Sequence, residues 1–478
     1  MRSNAVTLLS RATLGQVPGR IAAPRNQPEP SVGIVHFGAG AFHRAHQAAF
    51  IDRVLDHDPR WGIAAVSLRM RGAVDALAAQ DGLYTLAIRD REPAYRVIGA
   101  HRAFLGPEDA DATAALLASP SVKLVTITVT EKGYRLRPDG ALDRDHPDIA
   151  RDLAGAATPS SVIGWIVRGL AARREAGLAP FVVMPCDNLP SNGRKLRAAL
   201  VDFARATDSG LADWIAGEAR VPGTMVDAIT PASDDELYAD VAAAIGLEDR
   251  AAVQREAFAQ WVIEDMGDLG PDLAAAGAIV TGDVAGYEQA KLRILNGAHS
   301  TLAYAGLLRG RATVADAMTD APLARFIEAM IRDEVVPTLP PVAGLDLHAY
   351  ASDVLDRFHN PGIVHRLDQI AQDGSQKLPY RLGDTLAAHR ERGREARRVV
   401  AAFGCWIAWL MRRARQGAGV VDPAAEALIA AASEGSPAAV VRRIGETGAG
   451  LPASLRGDPA LVAAAEAAWA VNWETLLV

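Results

Sequence analysis

Cysteine is almost missing from this chain: two residues, Cys186 and Cys405, occur among 478, and neither belongs to a CxxC pair. That excludes a disulfide scaffold and a thiolate zinc ribbon, and it points to a reducing, cytoplasmic setting. Aromatic residues are scarce at 5%. Basic charge is lacking too. A formal net charge of −7 gives no positive field for holding a phosphate backbone, so no nucleic-acid partner is expected. The most continuous apolar run, Val399 to Met411, falls well short of the about 20 residues that a membrane span needs. It reads as a buried helix, with no membrane partner. At the N-terminus the stretch between Arg2 and Arg11 is broken by Asn4, Thr7 and Ser10 and offers no secretory core.

What is present is length and apolar mass. A chain of 478 residues, half of them hydrophobic, exceeds one ordinary core and reads as two domains. The segment from Gln16 to Pro30 carries four prolines and forms an irregular lead-in. Val32 to Phe37 is then a β-branched, apolar run, followed by Gly38-Ala39-Gly40 and a helix-compatible stretch from about Arg44 to Leu55. Further strands are expected at Ile63 to Leu68, near Tyr95 to Ile98, at Leu124 to Thr130 and at Phe181 to Met184, with an amphipathic helix from Val162 to Ala176. Strands alternating with helices predict an α/β, Rossmann-like parallel sheet covered on both faces. From about residue 285 the strand-like runs give way to Ala/Leu-rich helical periodicity. The boundary is placed near 280, giving a dinucleotide-binding domain over 1–280 and a mostly α-helical substrate and catalytic domain over 281–478. The clearest late helices are Ala396 to Ala414, Pro423 to Ser433 and Pro459 to Leu476.

Gly38, Ala39 and Gly40 stand between a strand and a helix, the context in which glycines let a backbone approach a pyrophosphate. An ordinary β–α turn uses the same residues, and the third glycine of the usual fingerprint is replaced by His43. A carboxylate for ribose hydroxyls is also missing, because the end of the second strand reads Ser67-Leu68-Arg69-Met70-Arg71. Arg69 and Arg71 there suit a 2′-phosphate or are plain surface cations, which leaves NADP open beside NAD. His43 and His46 share a spacing that suits a metal, yet no Cys or carboxylate stands beside them in sequence. They read as packing residues, and no metal is expected.

The most informative stretch is Lys291-Leu292-Arg293-Ile294-Leu295-Asn296-Gly297-Ala298-His299-Ser300. On an α-helix Lys291, Asn296 and His299 fall within an arc of about 140°. A neutral lysine in that company removes a hydroxyl proton while hydride leaves the same carbon, and amide N–H groups hold the oxygen. With an unperturbed pKa of about 10.4, such a lysine must be desolvated or placed beside positive charge. Cys186-Asp187-Asn188 follows the strand ending at Met184, at the carboxyl edge where open parallel sheets bind ligands. Asn188 is a second amide for the oxyanion, although a turn or cap explains the same pair. Asp227, in Met225-Val226-Asp227, is a buried-looking carboxylate suited to a substrate hydroxyl.

Together, Gly38-Ala39-Gly40-Ala41-Phe42-His43-Arg44-Ala45-His46-Gln47, Thr130-Glu131-Lys132-Gly133-Tyr134, Cys186-Asp187-Asn188, Met225-Val226-Asp227 and Lys291, Asn296, His299 resemble the mannitol dehydrogenase family, the polyol-specific long-chain dehydrogenases. The resemblance implies a nicotinamide-dependent, zinc-independent alcohol dehydrogenase with its site between the domains. It implies Lys291 as acid/base, Asn188 and Asn296 as alkoxide donors, His299 as substrate orienter and Glu288 as a proton-exchange residue. The cofactor turn includes Phe42. Lys132, the run Asp373 to Arg381 and Trp261 to Asp265 look like the fructuronate reductase branch, in which Lys377 or Arg381 is placed to neutralise a uronate carboxylate. The expected substrate is thus a sugar acid, D-fructuronate or D-mannonate, with a mannitol-type polyol dehydrogenase as the alternative. A non-catalytic dinucleotide sensor is a third reading, one that has no use for the lysine. Monomer and homo-oligomer both fit an Ala-rich helical domain.

Overall fold

The computed structural model describes residues 7–24, 29–137 and 139–476, apart from the side chains of Glu131 and Thr475. Residues 25–28 of the expected proline-bearing lead-in, and Arg2 and Asn4 of the N-terminal stretch, lie outside that set. The chain divides into two compact units, Met1–Val284 and Ala285–Val478.

Among the described residues the first unit has eleven strands: β1 Val32–Phe37, β2 Gly62–Val66, β3 Tyr84–Arg89, β4 Ala94–Ile98, β5 His101–Leu105, β6 Leu124–Ile127, β7 Val182–Pro185, β8 Thr224–Asp227, β9 Val253–Glu256, β10 Gln260–Glu264 and β11 Ile279–Thr281. Five of them make one sheet in the order β5-β2-β1-β6-β7, and every neighbouring pair is parallel. Both faces are covered, so the strands are mostly apolar, with His36, His101, Arg102 and Thr126 the polar exceptions. Ile34, Ile63, Ala65, Leu124 and Met184 enter one core. Val35, Phe37, Ala64, Val66, Val125, Ile127 and Val183 enter the other. Alternate residues of one strand thus feed opposite layers. Strand order reverses between β1 and β6, which makes that junction the switch point where open sheets bind ligands.

Two expectations about this unit are corrected. Tyr95–Ile98 does lie in a strand, but that strand runs antiparallel to β3 in a separate sheet, β4-β3-β9. The third parallel position belongs instead to β5, with only two residues between it and β4. Nor is the helix after the glycine turn continuous. It runs over Ala41–Ala45 and resumes over Gln47–Val54, with His46 at φ −117°, ψ −89° between them.

The second unit is helical, and no named strand follows β11 among its described residues. Its central helix, Arg397–Arg415, is buried from Val399 to Met411 except for a partly exposed Trp409. Gly404 lets the backbone of the Pro459–Trp469 helix come close, since a Cβ there would lie 2.7 Å from the carbonyl carbon of Ala464. The expected helix from 459 to 476 stops at Trp469 and restarts at Trp473. Val471 between them sits in the left-handed region at φ 58°, a conformation that ends a helix for any β-branched residue.

Candidate active site

The carboxyl edge of the five-stranded sheet gathers the first group of candidate residues. Gly38 leaves β1 at φ +100°, and a Cβ there would strike the Thr128 carbonyl oxygen at 2.3 Å. Glycine is therefore required at this position on two counts, conformation and space. Its N–H donates to the Val66 carbonyl at 3.0 Å, while the Thr128 hydroxyl donates to the Gly38 carbonyl at 2.6 Å. Gly40 is different: a Cβ there would meet nothing nearer than 3.9 Å, so this side of the turn is open. Ala39 between them is buried. Phe42 stacks on His46 with centroids 5.2 Å apart.

Beneath the turn lies a set of buried imidazoles that the sequence did not signal as a set. His36 reaches Thr126 Oγ1 at 2.7 Å and Thr128 Oγ1 at 2.8 Å. Its ring stacks on His43 at 3.3 Å between centroids, and His43 Nε2 lies 3.0 Å from His101 Nε2. Burial pushes the pKa of His36 down to about 3 and holds those of His43 and His101 well below the ordinary value. All three rings are neutral at pH 7. His46 diverges from His43, with its Nε2 on the Gln260 carbonyl at 2.9 Å. The two histidines thus serve separate partners. Among the described residues no group of three or more His, Cys, Asp or Glu side chains is arranged to hold a metal ion.

At the end of β2, Arg69 does not stand as a lone cation. Its guanidinium meets the Asp148 carboxylate at 3.1 Å, and Asp148 also binds Arg135 at 2.7 Å. Arg71 is taken up by Asp75 and Asp109.

The Cys186-Asp187-Asn188 turn follows β7 and is held from three sides. The Leu189 N–H donates to Asp187 Oδ1 at 2.9 Å, and the hydroxyl of Tyr134, a fully buried side chain, donates to Asp187 Oδ2. Asn192 ties the turn to β8 by donating to the Asp187 carbonyl at 3.4 Å and the Thr224 carbonyl at 3.0 Å and accepting from the Thr224 N–H at 3.0 Å. Asn188 is left at an exposed position. Cys186 is buried, and that burial raises its thiol pKa well above the ordinary value, which fits a packing residue. Asp227 closes β8 and is 3% exposed. Tyr134 and Asn192 were missed because each acts across a sequence gap; only the Thr-Glu-Lys-Gly-Tyr motif hinted at the first.

In the second unit Lys291, Asn296 and His299 lie on one unbroken helical path, but it is not the α-helix assumed from sequence. Val284–Ala290 is α-helical, Lys291–Asn296 is π-helical, and Gly297–Leu308 is α-helical again. The i→i+5 ladder turns less per residue than an α-helix, so Asn296 comes back closer to the face of Lys291 than five α-helical steps allow. Such segments are often found at functional sites. Lys291 is 8% exposed and His299 6%; Asn296 and Glu288 are partly exposed.

His299 Nε2 is buried without a hydrogen-bond partner. Its ring packs on Phe358 at 4.6 Å and edge-on to His365 at 4.8 Å. Burial, then the neighbouring His365, Arg357 and Arg381, hold its pKa well below the ordinary value. Arg381 reaches Ser300, the residue after His299, at 3.1 Å. Its own segment, Pro379–Gly383, is also π-helical, and Gly297 lets that backbone approach, with a Cβ there only 2.9 Å from the Arg381 carbonyl oxygen. Lys377, by contrast, spends its ammonium on Asp373 at 3.4 Å and the Gln372 carbonyl at 2.8 Å. His365 and Phe358 lacked any motif to mark them.

This constellation can be set against known proteins. Residues 32–275 match the mannitol dehydrogenase Rossmann domain and residues 283–469 the mannitol dehydrogenase C-terminal domain. The chain is 41% identical over 401 residues to D-mannonate oxidoreductase of Escherichia coli strain K12, covering 82% of each chain. It is 40% identical over 422 residues to mannitol 2-dehydrogenase of Phaeosphaeria nodorum, covering 86% of this chain and 74% of that one. Among solved structures, Pseudomonas fluorescens mannitol 2-dehydrogenase in ternary complex with NAD and D-mannitol is 34% identical with a TM-score of 0.84, over 98% of this chain and 99% of that one. A parallel-sheet first unit and a helical second unit that both follow one two-part pattern along most of their length lead to one conclusion: the chain belongs to the mannitol dehydrogenase family.

Proposed function

We propose that this oxidoreductase moves hydride between a nicotinamide cofactor and the secondary alcohol of a sugar acid, D-mannonate and D-fructuronate being the pair in view. The observation that carries the reading is Lys291, a lysine residue only 8% exposed at the start of a π-helical turn that ends in Asn296. The glycine turn suits the cofactor. Gly38 holds a backbone conformation closed to side chains, and Gly40 leaves a bare approach of the kind a pyrophosphate needs. The cofactor, when bound, accepts the hydride in alcohol oxidation and returns it in carbonyl reduction; NAD is the assignment adopted.

The chain's own residues handle the proton and the oxygen. In oxidation the O–H bond breaks toward the Lys291 amine, C=O forms as hydride leaves carbon, and the lysine is left as an ammonium. Asn188 and Asn296 donate to the oxygen while it carries negative charge, and Glu288 returns the lysine proton to water. His299 orients the substrate through the Nε2 that no protein group satisfies. Asp227 accepts from a substrate hydroxyl. No step uses zinc, so exhaustive chelation is expected to leave turnover unchanged.

Arg381 supports the sugar acid over a neutral polyol, because it brings a guanidinium to Ser300, one residue from His299; a carboxylate pairs with such a group bidentately. Lys377, already paired with Asp373, is the weaker of the two cations. The mannitol-type reading is kept because identity to a mannitol 2-dehydrogenase, at 40%, nearly equals that to the mannonate enzyme. Turnover of fructuronate and fructose, each with NADH and NADPH and followed by absorbance of the reduced cofactor, separates them. Fructuronate with NADH is expected to give the highest kcat/KM; fructose in that place would favour the polyol enzyme, and no turnover with cofactor bound would favour a sensor.

A further inference from the structure

The end of β2 lacks the carboxylate that ordinarily receives the ribose hydroxyls of NAD and repels the 2′-phosphate of NADP. In its place stand Ser67, Leu68 and Arg69, which from sequence leaves NADP open beside NAD. The structure adds a residue that the strand does not supply. Asp148, in the first turn of the helix Pro147–Leu153, extends its carboxylate to Arg69 at 3.1 Å and to Arg135 at 2.7 Å.

Asp148 is also part of the wall of a cavity of about 240 Å³ that opens between the ends of β2 and β5 and includes Val66, Leu68, Arg69 and Gly106. Trp165, 3% exposed, belongs to the same wall and has a buried indole N–H with no protein partner. The cavity therefore combines apolar surface, an unsatisfied donor and an ion pair beside the strand end where an adenosine ribose is received.

The geometry points to Asp148 as the specificity-determining residue that makes this chain select NAD over NADP, by holding Arg69 and by placing a fixed negative charge where a 2′-phosphate would arrive. For Arg69 to serve a phosphate it must leave Asp148, and the dianion must then lie beside that carboxylate. Arg135 shares that carboxylate but keeps its side chain only 16% exposed against 69% for Arg69, so Arg69 is the guanidinium in position to turn toward a phosphate. This inference rests on the cofactor reading above and extends it to a residue 79 positions from Arg69 in sequence.

The test is binding, read without turnover. Affinities for NADH and NADPH, and for AMP and adenosine 2′,5′-bisphosphate, are measured by calorimetry on the full chain and on Asp148→Asn. The wild type is expected to prefer the ligands without a 2′-phosphate. Asp148→Asn is expected to narrow that preference by roughly fivefold, the scale of a partly exposed ion pair, with the narrowing reduced by adding Arg69→Ala, which leaves only the loss of the carboxylate charge, and weakened by salt. An unchanged ratio in Asp148→Asn, or a narrowing that Arg69→Ala leaves undiminished, overturns the proposal. Should Asp148→Asn fail to fold, Arg69→Ala alone serves, because its side chain is 69% exposed. It leaves Asp148 one cation poorer and is expected to widen the gap; a constant or narrower gap overturns the proposal. Tight NADH binding with an unmoved ratio removes only this inference, whereas a wild type that binds neither nucleotide removes the cofactor reading as well.

Discussion

A Cβ at residue 38 would sit 2.3 Å from a backbone oxygen and require φ +100°, so Gly38→Ala is expected to cost about 1–3 kcal/mol. A lowered melting temperature together with weakened NADH binding would bear this out; unchanged values of both would show that the turn yields easily. Tyr134→Phe removes the donor to Asp187 while keeping the ring that fills the core. An acceptor left short of a partner costs about 1–3 kcal/mol, and turnover is expected to fall more than cofactor affinity because the turn that bears Asn188 loosens. Equal losses in the two measurements would count against a positioning role. At this scale the sequence marks candidates where a motif is written locally, as in Gly38-Ala39-Gly40 or Lys291 with Asn296. It was silent where a partner lies far along the chain: Tyr134 and Asp187 are 53 positions apart, and nothing in either segment announces the other.

Elements were legible in kind more than in form. β1, β2, β6, β7 and the helix Val162–Glu175 lie where apolar runs and periodicity place them, because strands buried on both faces and an amphipathic helix leave strong patterns. The π-helical turn at Lys291–Asn296 left none, since a periodicity of 3.6 cannot register one widened turn within a buried helix. The assignment of Tyr95–Ile98 to the parallel sheet failed for a related reason: a strand's composition records its burial, not its neighbour. Packing between elements offers a clean test at Gly404. Alanine there gains about 1 kcal/mol of helix propensity, yet its Cβ would overlap the Ala464 backbone at 2.7 Å. Backbone cannot rotate away, so overpacking of about 1–3 kcal/mol wins and Gly404→Ala is expected to melt earlier. A higher melting temperature would show that the two helices separate at little cost.

For the whole molecule, four buried histidines and the partly buried His365 decide the response to acid. His36, with a pKa lowered to about 3, and His365, lowered to about 4, are joined by His43, His101 and His299, all depressed chiefly by burial. In the unfolded chain each titrates near 6.5. The unfolded state therefore binds more protons as pH falls below that value, and stability, fully present above it, is lost toward pH 4. Each histidine contributes a slope of up to about 1.4 kcal/mol per pH unit within the window. Asp52 and Asp249, raised by burial, act in the opposite sense but are outnumbered. The urea midpoint is expected to drop steeply between pH 6.5 and 5; a flat profile would mean that these rings reach water before the chain unfolds. At this scale the α/β and helical division was readable from the change of pattern near residue 285, whereas the substrate was not, because cations such as Lys377 and Arg381 differ only in the partners that folding gives them.

The central claim is that Lys291 removes the hydroxyl proton. Its most direct test is the pH dependence of kcat/KM for alcohol oxidation in the wild type and in Lys291→Ala, with NADH binding measured alongside. The account predicts a rate that rises with pH as the amine loses its proton, and in the variant a loss of about 10²- to 10⁴-fold with that rise gone and NADH affinity preserved. Turnover close to wild type in Lys291→Ala, with the same rise, would contradict it.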